Sequence, residues 1–225
     1  MTFLEKIRKA PARKTFVLHG NRDCIRSDKE LNTVDKTVAD AAFQKYSKEI
    51  LGEFLKQQGF LKWKTNAFVR LNSIDVLEYI NLQKERYGSK TFTVNYALMP
   101  LYVPNEYMVT GFGDRLGNLI VGKDIWWDYA DKRIAEVSFQ NVTDAIEQFV
   151  LPWFQTYGDK ELLKKRLLKD RKKGDGLPYN NQKWLESIDV CENRSEIILD
   201  NIRRLKLPKK LGNPLHCNSQ KGLRG

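Results

Sequence analysis

The sequence predicts an α+β fold: an antiparallel β-meander with helices packed on one face and a helical C-terminal extension. Three observations point there. Four short strand-like runs between Phe60 and Tyr102 are separated by tight-turn residues. The two longest runs alternate apolar and polar side chains with period two. Two stretches on either side of them place apolar residues at helical spacing instead.

The 225 residues divide, on this reading, into an N-terminal arm over 1–33, an α+β core over 34–168 and a basic, partly helical extension over 169–225. In the arm, Phe3, Leu4 and Ile7 offer one apolar helix turn before Pro11, and Phe16-Val17-Leu18 a short strand or packing clip. The first core helix starts near Thr33 or Thr37 and runs to Gln58, with Phe43, Tyr46, Ile50, Phe54 and Leu55 on one side. Gly59 ends it, because glycine takes the left-handed conformation that turns a helix into an extended segment.

Strands follow at Phe60 to Lys64, Ala67 to Leu71, Val76 to Lys84 and Lys90 to Tyr102. Thr65-Asn66, Asn72-Ser73 and Tyr87-Gly88-Ser89 supply the turns between them. Consecutive strands joined so tightly pair antiparallel. Phe92, Val94, Tyr96 and Leu98 share one face with Val76, Ile80 and Leu82, whereas Tyr79, Asn81, Gln83, Thr93 and Asn95 share the other. A half-polar sheet ordinarily shows one packed and one wet face. The sharper reading is a binding face, since neutral amides and hydroxyls both donate and accept hydrogen bonds.

Gly111 to Gly117 is glycine-rich, but Leu116 stands where a dinucleotide fingerprint needs its third glycine. It reads as a loop entering a short strand, Asn118 to Val121. Arg115 is an ion-pair partner or an anion ligand. Of the adjacent Trp126 and Trp127, one belongs in the core and the other at a pocket or a sheet edge. Asp124, Asp128 and Asp131 read as a solvated acidic patch rather than a metal site. Ile134 to Phe139 reads as a further strand. A second helix starts near Asn141 or Thr143, carries Ile146, Phe149, Val150, Trp153 and Phe154, and is kinked by Pro152. Gly158 ends it, and Asp159 caps a short helix through Leu168. Trp184, Ile188, Ile197, Ile198, Ile202 and Leu205 suggest one or two more helices, and Leu207 onward reads as a basic tail.

The core also resembles a family. The helix ending in Gly59-Phe60, the run Phe68-Val69-Arg70, Ile80-Asn81-Leu82-Gln83-Lys84 and Phe92-Thr93-Val94-Asn95 are similar to the bacterial family of domain of unknown function 4304. So are Arg115, Trp126-Trp127 and Val150-Leu151-Pro152-Trp153-Phe154, so that the resemblance covers roughly residues 38 to 165. The family has no established activity. The resemblance therefore implies a fold and no reaction.

Composition sets the remaining bounds. A hydrophobic fraction of 41% suits a folded chain. Cys24, Cys191 and Cys217 are too few for a disulfide framework, which fits a reducing cytoplasm. The first ten residues are too charged for a signal peptide, and no apolar run approaches the ~18 residues that span a bilayer. The net charge of +11 lies mostly beyond residue 160, while the core is nearly balanced. His19 and His216 lack partners at catalytic or zinc spacing, so no catalytic residue, metal or cofactor is assigned.

The sequence thus favours a non-enzymatic binding module that receives a protein or small ligand, immunity-like by fold-level analogy. Its candidate binding residues are Arg70, Tyr79, Asn81, Gln83, Thr93, Asn95, Arg115, Trp126 and Trp127. One alternative is nucleic-acid binding through the basic ends. Another is an enzyme using Arg115 and the Asp124–Asp131 neighbourhood.

Overall fold

The protein is described here from a computed structural model covering residues 36–108, 112–171, 179–190 and 192–212. The expectations for the N-terminal arm, for His19 and Cys24, and for Cys191, His216 and Cys217 fall outside the described residues.

Six strands form one antiparallel sheet: β1 Leu61–Lys64, β2 Ala67–Leu71, β3 Val76–Lys84, β4 Thr91–Pro100, β5 Phe112–Arg115 and β6 Trp127–Asp128. The order is β1-β2-β3-β4-β5, with β6 also pairing β4. The expected meander is present almost to the residue. Gly59 adopts φ 82°, and Phe60 N then donates back to the Leu55 carbonyl as the chain leaves the helix. At the β2–β3 turn, Asn72 Oδ1 accepts from Ile74 N at 3.1 Å and Val76 N at 3.0 Å.

The first helix, α1, comprises Lys36–Tyr46, a π-helical turn Ser47–Gly52 and Glu53–Gln57. A short α2 follows β5 at Leu116–Val121. The long α3 comprises Lys132–Ala145, a π-helical turn Ile146–Val150 and Leu151–Tyr157. Then come α4 Lys160–Arg171, α5 Tyr179–Ser187, α6 Arg194–Arg204 and a 3-10 turn Lys209–Gly212.

Two expectations change here. Ile134 to Phe139 is helix, not strand. Asp131 caps α3 by accepting from Ile134 N at 2.8 Å, and the buried Ala135, Ser138, Phe139, Val142 and Ala145 recur at helical spacing. Asn118 to Val121 is helix as well, and the glycine-rich segment before it supplies β5. The helix continues through Pro152, with the π-helical turn Ile146–Val150 directly before the segment that holds it.

One sheet face packs on α1 and α3. Phe92 stacks on Phe139 with centroids 4.8 Å apart, Phe43 meets both edge-on at 5.3 Å, and Tyr96 meets Trp153 at 4.8 Å. Register places Arg70 opposite Glu78, so both lie on this covered face. Arg70 Nε donates to Glu78 Oε2 at 2.6 Å, and the guanidinium lies 4.4 Å from the Phe60 ring centroid.

The second face divides in two. At one end Val69, Leu77 and Met99 are fully buried. The C-terminal segment is tied to the sheet around them. Trp63 Nε1 donates to the Lys206 carbonyl at 2.8 Å. Asn201 Nδ2 donates to the Leu101 and Val103 carbonyls, each at 2.7 Å, and its Oδ1 accepts from Asn105 N at 2.8 Å. Arg194 grips the β2–β3 turn through Asp75 Oδ2 at 2.7 Å and the Ile74 carbonyl at 3.0 Å. Trp184, Ile188, Ile202, Leu205, Leu207 and Leu211 are buried in the same apolar cluster as the sheet. The described part of the extension is therefore a layer of the fold, and Leu207–Gly212 is not a free tail. At its other end, a concavity opens among the half-buried Tyr79, Asn81, Gln83 and Asn95.

Candidate binding site

The open end is built from the polar sides of β3, β4 and β5. Antiparallel register sets Asn81 opposite Asn95, Gln83 opposite Thr93, and Arg115 opposite Asn95. Asn95 stands in the middle of a ladder. Its Nδ2 donates to Gln83 Oε1 at 3.1 Å and to Asn81 Oδ1 at 3.4 Å, and Asn81 Nδ2 donates to the Asn66 carbonyl at 3.2 Å. The β1–β2 turn thereby fixes the amide order across two strands. Each amide keeps hydrogen-bonding capacity beyond the ladder: Gln83 Nε2 and Asn95 Oδ1 have no partner among the described residues.

The ladder floors an open concavity of about 360 Å³. Tyr79 walls one side and packs edge-on to Trp63 with centroids 6.1 Å apart. Burial raises the Tyr79 phenol above its usual value, so it stays a neutral hydrogen-bonding group. Gly113, Asp114 and Arg115 form the opposite wall. A Cβ at Gly113 would collide with the Tyr96 carbonyl oxygen and the Ala97 backbone, so only glycine lets β5 close on β4 here.

Arg115 is held from two sides. Its guanidinium pairs with Asp124 and lies 5.4 Å from the Trp126 ring centroid. Asp114 Oδ1 accepts from Arg115 N and from Asn118 Nδ2, both at 2.7 Å, which fixes the start of α2. The three aspartates once grouped as a patch have separate duties: Asp124 pairs with Arg115, Asp128 Oδ1 accepts from Ala130 N at 2.7 Å, and Asp131 caps α3. Among the described residues no group of three or more His, Cys, Asp or Glu side chains could hold a metal ion.

The structure brings together five of the nine residues singled out from the sequence: Tyr79, Asn81, Gln83, Asn95 and Arg115 all line the concavity. Trp126 braces it from behind Arg115. Thr93 is on the expected face but fully buried, and its hydroxyl has no partner. Trp127 is the core member of the Trp pair, packed 6.2 Å from Phe92. Arg70 lies on the opposite face, in the buried pair with Glu78. The lining residues missed from the sequence are Tyr96, Ala97, Gly113 and Asp114, the last two because the glycine-rich segment reads as a loop.

A family model described as a domain of unknown function (DUF4304) matches residues 51–156. This core region belongs to the DUF4304 family. The matched span holds all six strands, the C-terminal part of α1 and nearly all of α3, and with them every residue of the concavity. The C-terminal layer lies outside the DUF4304 match. Comparison with curated proteins and with solved structures finds no match in either.

Proposed function

We propose that this protein is a non-catalytic binding module whose ligand site is the amide-floored concavity on the open half of the second sheet face. The observation that carries the reading is convergence: three amides, a phenol and a guanidinium from three neighbouring strands meet at one depression, set by the sheet register, with the amides bonded to one another. Side chains fixed on strands present their free donors and acceptors at low entropic cost. Nothing at the site pairs a nucleophile with a base, which favours binding over catalysis.

The test is a double substitution. Asn81→Ala/Asn95→Ala removes the ladder from a partly exposed face and leaves the apolar core intact. Wild type and variant, immobilised at equal density, are offered the same native lysate, and the recovered proteins and small molecules are compared. Loss of a specific species in the variant supports the reading; identical recovery defeats it.

The nucleic-acid alternative rests on the excess of Lys and Arg over residues 160–225, with Trp184 nearby. Among the described residues part of the C-terminal charge is paired: Lys160 and Lys164 with Asp189, Arg194 with Asp75, and Arg203 and Arg204 with Asp200. A gel shift at low salt decides it, since phosphate contacts weaken steeply as salt rises.

A further inference from the structure

We infer that the occupant of this concavity is an uncharged, hydroxyl-rich small molecule, a saccharide in chemical class. The inference rests on the binding-module reading and adds the ligand to it. It follows from which hydrogen-bonding groups remain unused. Free donors are Gln83 Nε2 and the Arg115 N–H groups not directed at Asp124. The free acceptor is Asn95 Oδ1, and the Tyr79 phenol can both donate and accept. Donors and acceptors alternate across one depression only a few residues wide.

A cationic group has only donors to offer and would meet the amide and guanidinium hydrogens. An anion has only acceptors and would face Asn95 Oδ1 with no hydrogen to share, while the Arg115 charge is already paired with Asp124. A hydroxyl both donates and accepts at a single atom. Vicinal hydroxyls therefore satisfy the alternating pattern without bringing a charge into it. Planar amides suit this task because each presents one acceptor and two donors in a fixed plane. Tyr79 supplies an apolar ring beside the polar floor, against which the C–H face of a sugar ring can rest. The volume of about 360 Å³ suits a ligand of one or two sugar rings.

The test is a panel of neutral mono- and disaccharides, with inorganic phosphate, a dicarboxylic acid and a short diamine as charged comparators. Binding is read by saturation-transfer NMR and isothermal titration calorimetry on the full chain. The expected result is saturable binding of at least one neutral saccharide, weakened by at least about tenfold in both Gln83→Ala and Asn95→Ala, because each strips a partner from a ligand hydroxyl. Thermal unfolding of the two variants confirms that they are folded. If Asn95→Ala does not fold, Gln83→Ala alone decides, since Gln83 only accepts within the ladder. Absence of saccharide binding, or binding indifferent to both substitutions, overturns the inference. A charged comparator or a lysate protein that binds wild type and is lost in Asn81→Ala/Asn95→Ala also overturns the ligand class, yet leaves the site standing. Indifference of every species to these substitutions removes both.

Discussion

Arg70 and Glu78 form a buried ion pair on the helix-covered face of the sheet, with 2.6 Å between Nε and Oε2. Burial pushes the Glu78 carboxyl above the ordinary value of 4.5, against the pull of Arg70. The folded protein therefore holds this proton more tightly than the unfolded chain. The Glu78 contribution to stability is full below pH 4.5 and is lost as pH rises through its raised value. Denaturant unfolding of Glu78→Gln should lack that decline. Arg70→Met strands the carboxylate and should cost about 3 kcal/mol at pH 7, less near pH 4, where Glu78 takes up a proton. Equal losses at both pH values would contradict this account.

Gly113→Ala tests the closure of the site. The added methyl meets the β4 backbone, which cannot yield as a side chain can. Strand β5 must lift, and stability should fall by about 1–3 kcal/mol, the usual cost of overpacking. Amide exchange should quicken across Phe112–Arg115 and the facing Asn95 to Leu98. Unchanged protection there would show that β5 does not depend on this contact.

Asn201→Ala tests the C-terminal layer. The side chain is 1% exposed and serves three backbone groups, the Leu101 and Val103 carbonyls and Asn105 N. Leaving such groups unsatisfied costs about 1–3 kcal/mol each, so a loss of at least about 2 kcal/mol is expected in thermal unfolding. Limited proteolysis should then cut first between residues 190 and 212. Cleavage elsewhere at the wild-type rate would refute the tie.

At the alkaline end, buried phenols dominate. Burial raises Tyr129 to about 12 and pushes Tyr96 and Tyr102 higher still. The unfolded chain ionises near 10 and the folded protein later, so stability should decline as pH rises from about 10 through 12. Absorbance at 295 nm should show a late group of phenols appearing with unfolding. Tyr129→Phe should reduce the late amplitude; a single transition near pH 10 would rule the idea out.

The sheet was readable from sequence because its turns carry residues with a local reason to turn, as Gly59 and Asn72 do, and because period two is visible over the ten residues of β4. Its polar face was readable for the same reason. Arg70 was misplaced because β2 is short and its alternation is masked by three adjacent buried residues, Ala67, Phe68 and Val69. Ile134–Phe139 looked extended because six residues rich in apolar side chains fit either period; Asp131 and the repeat through Ala145 decide it. The full burial of Thr93 has no counterpart in the local alternation of β4. The two π-helical turns left no signature in residue type.

The seal that Leu205, Leu207 and Leu211 place near one end of the sheet bears on how the protein can be handled in pieces. A fragment ending where the DUF4304 match ends, at residue 156, would present Val69, Leu77 and Met99 to water as a contiguous oily strip. Such a strip invites self-association. A fragment that keeps this strip covered therefore extends to residue 212, and the stretch beyond the match is part of the scaffold on which the site stands.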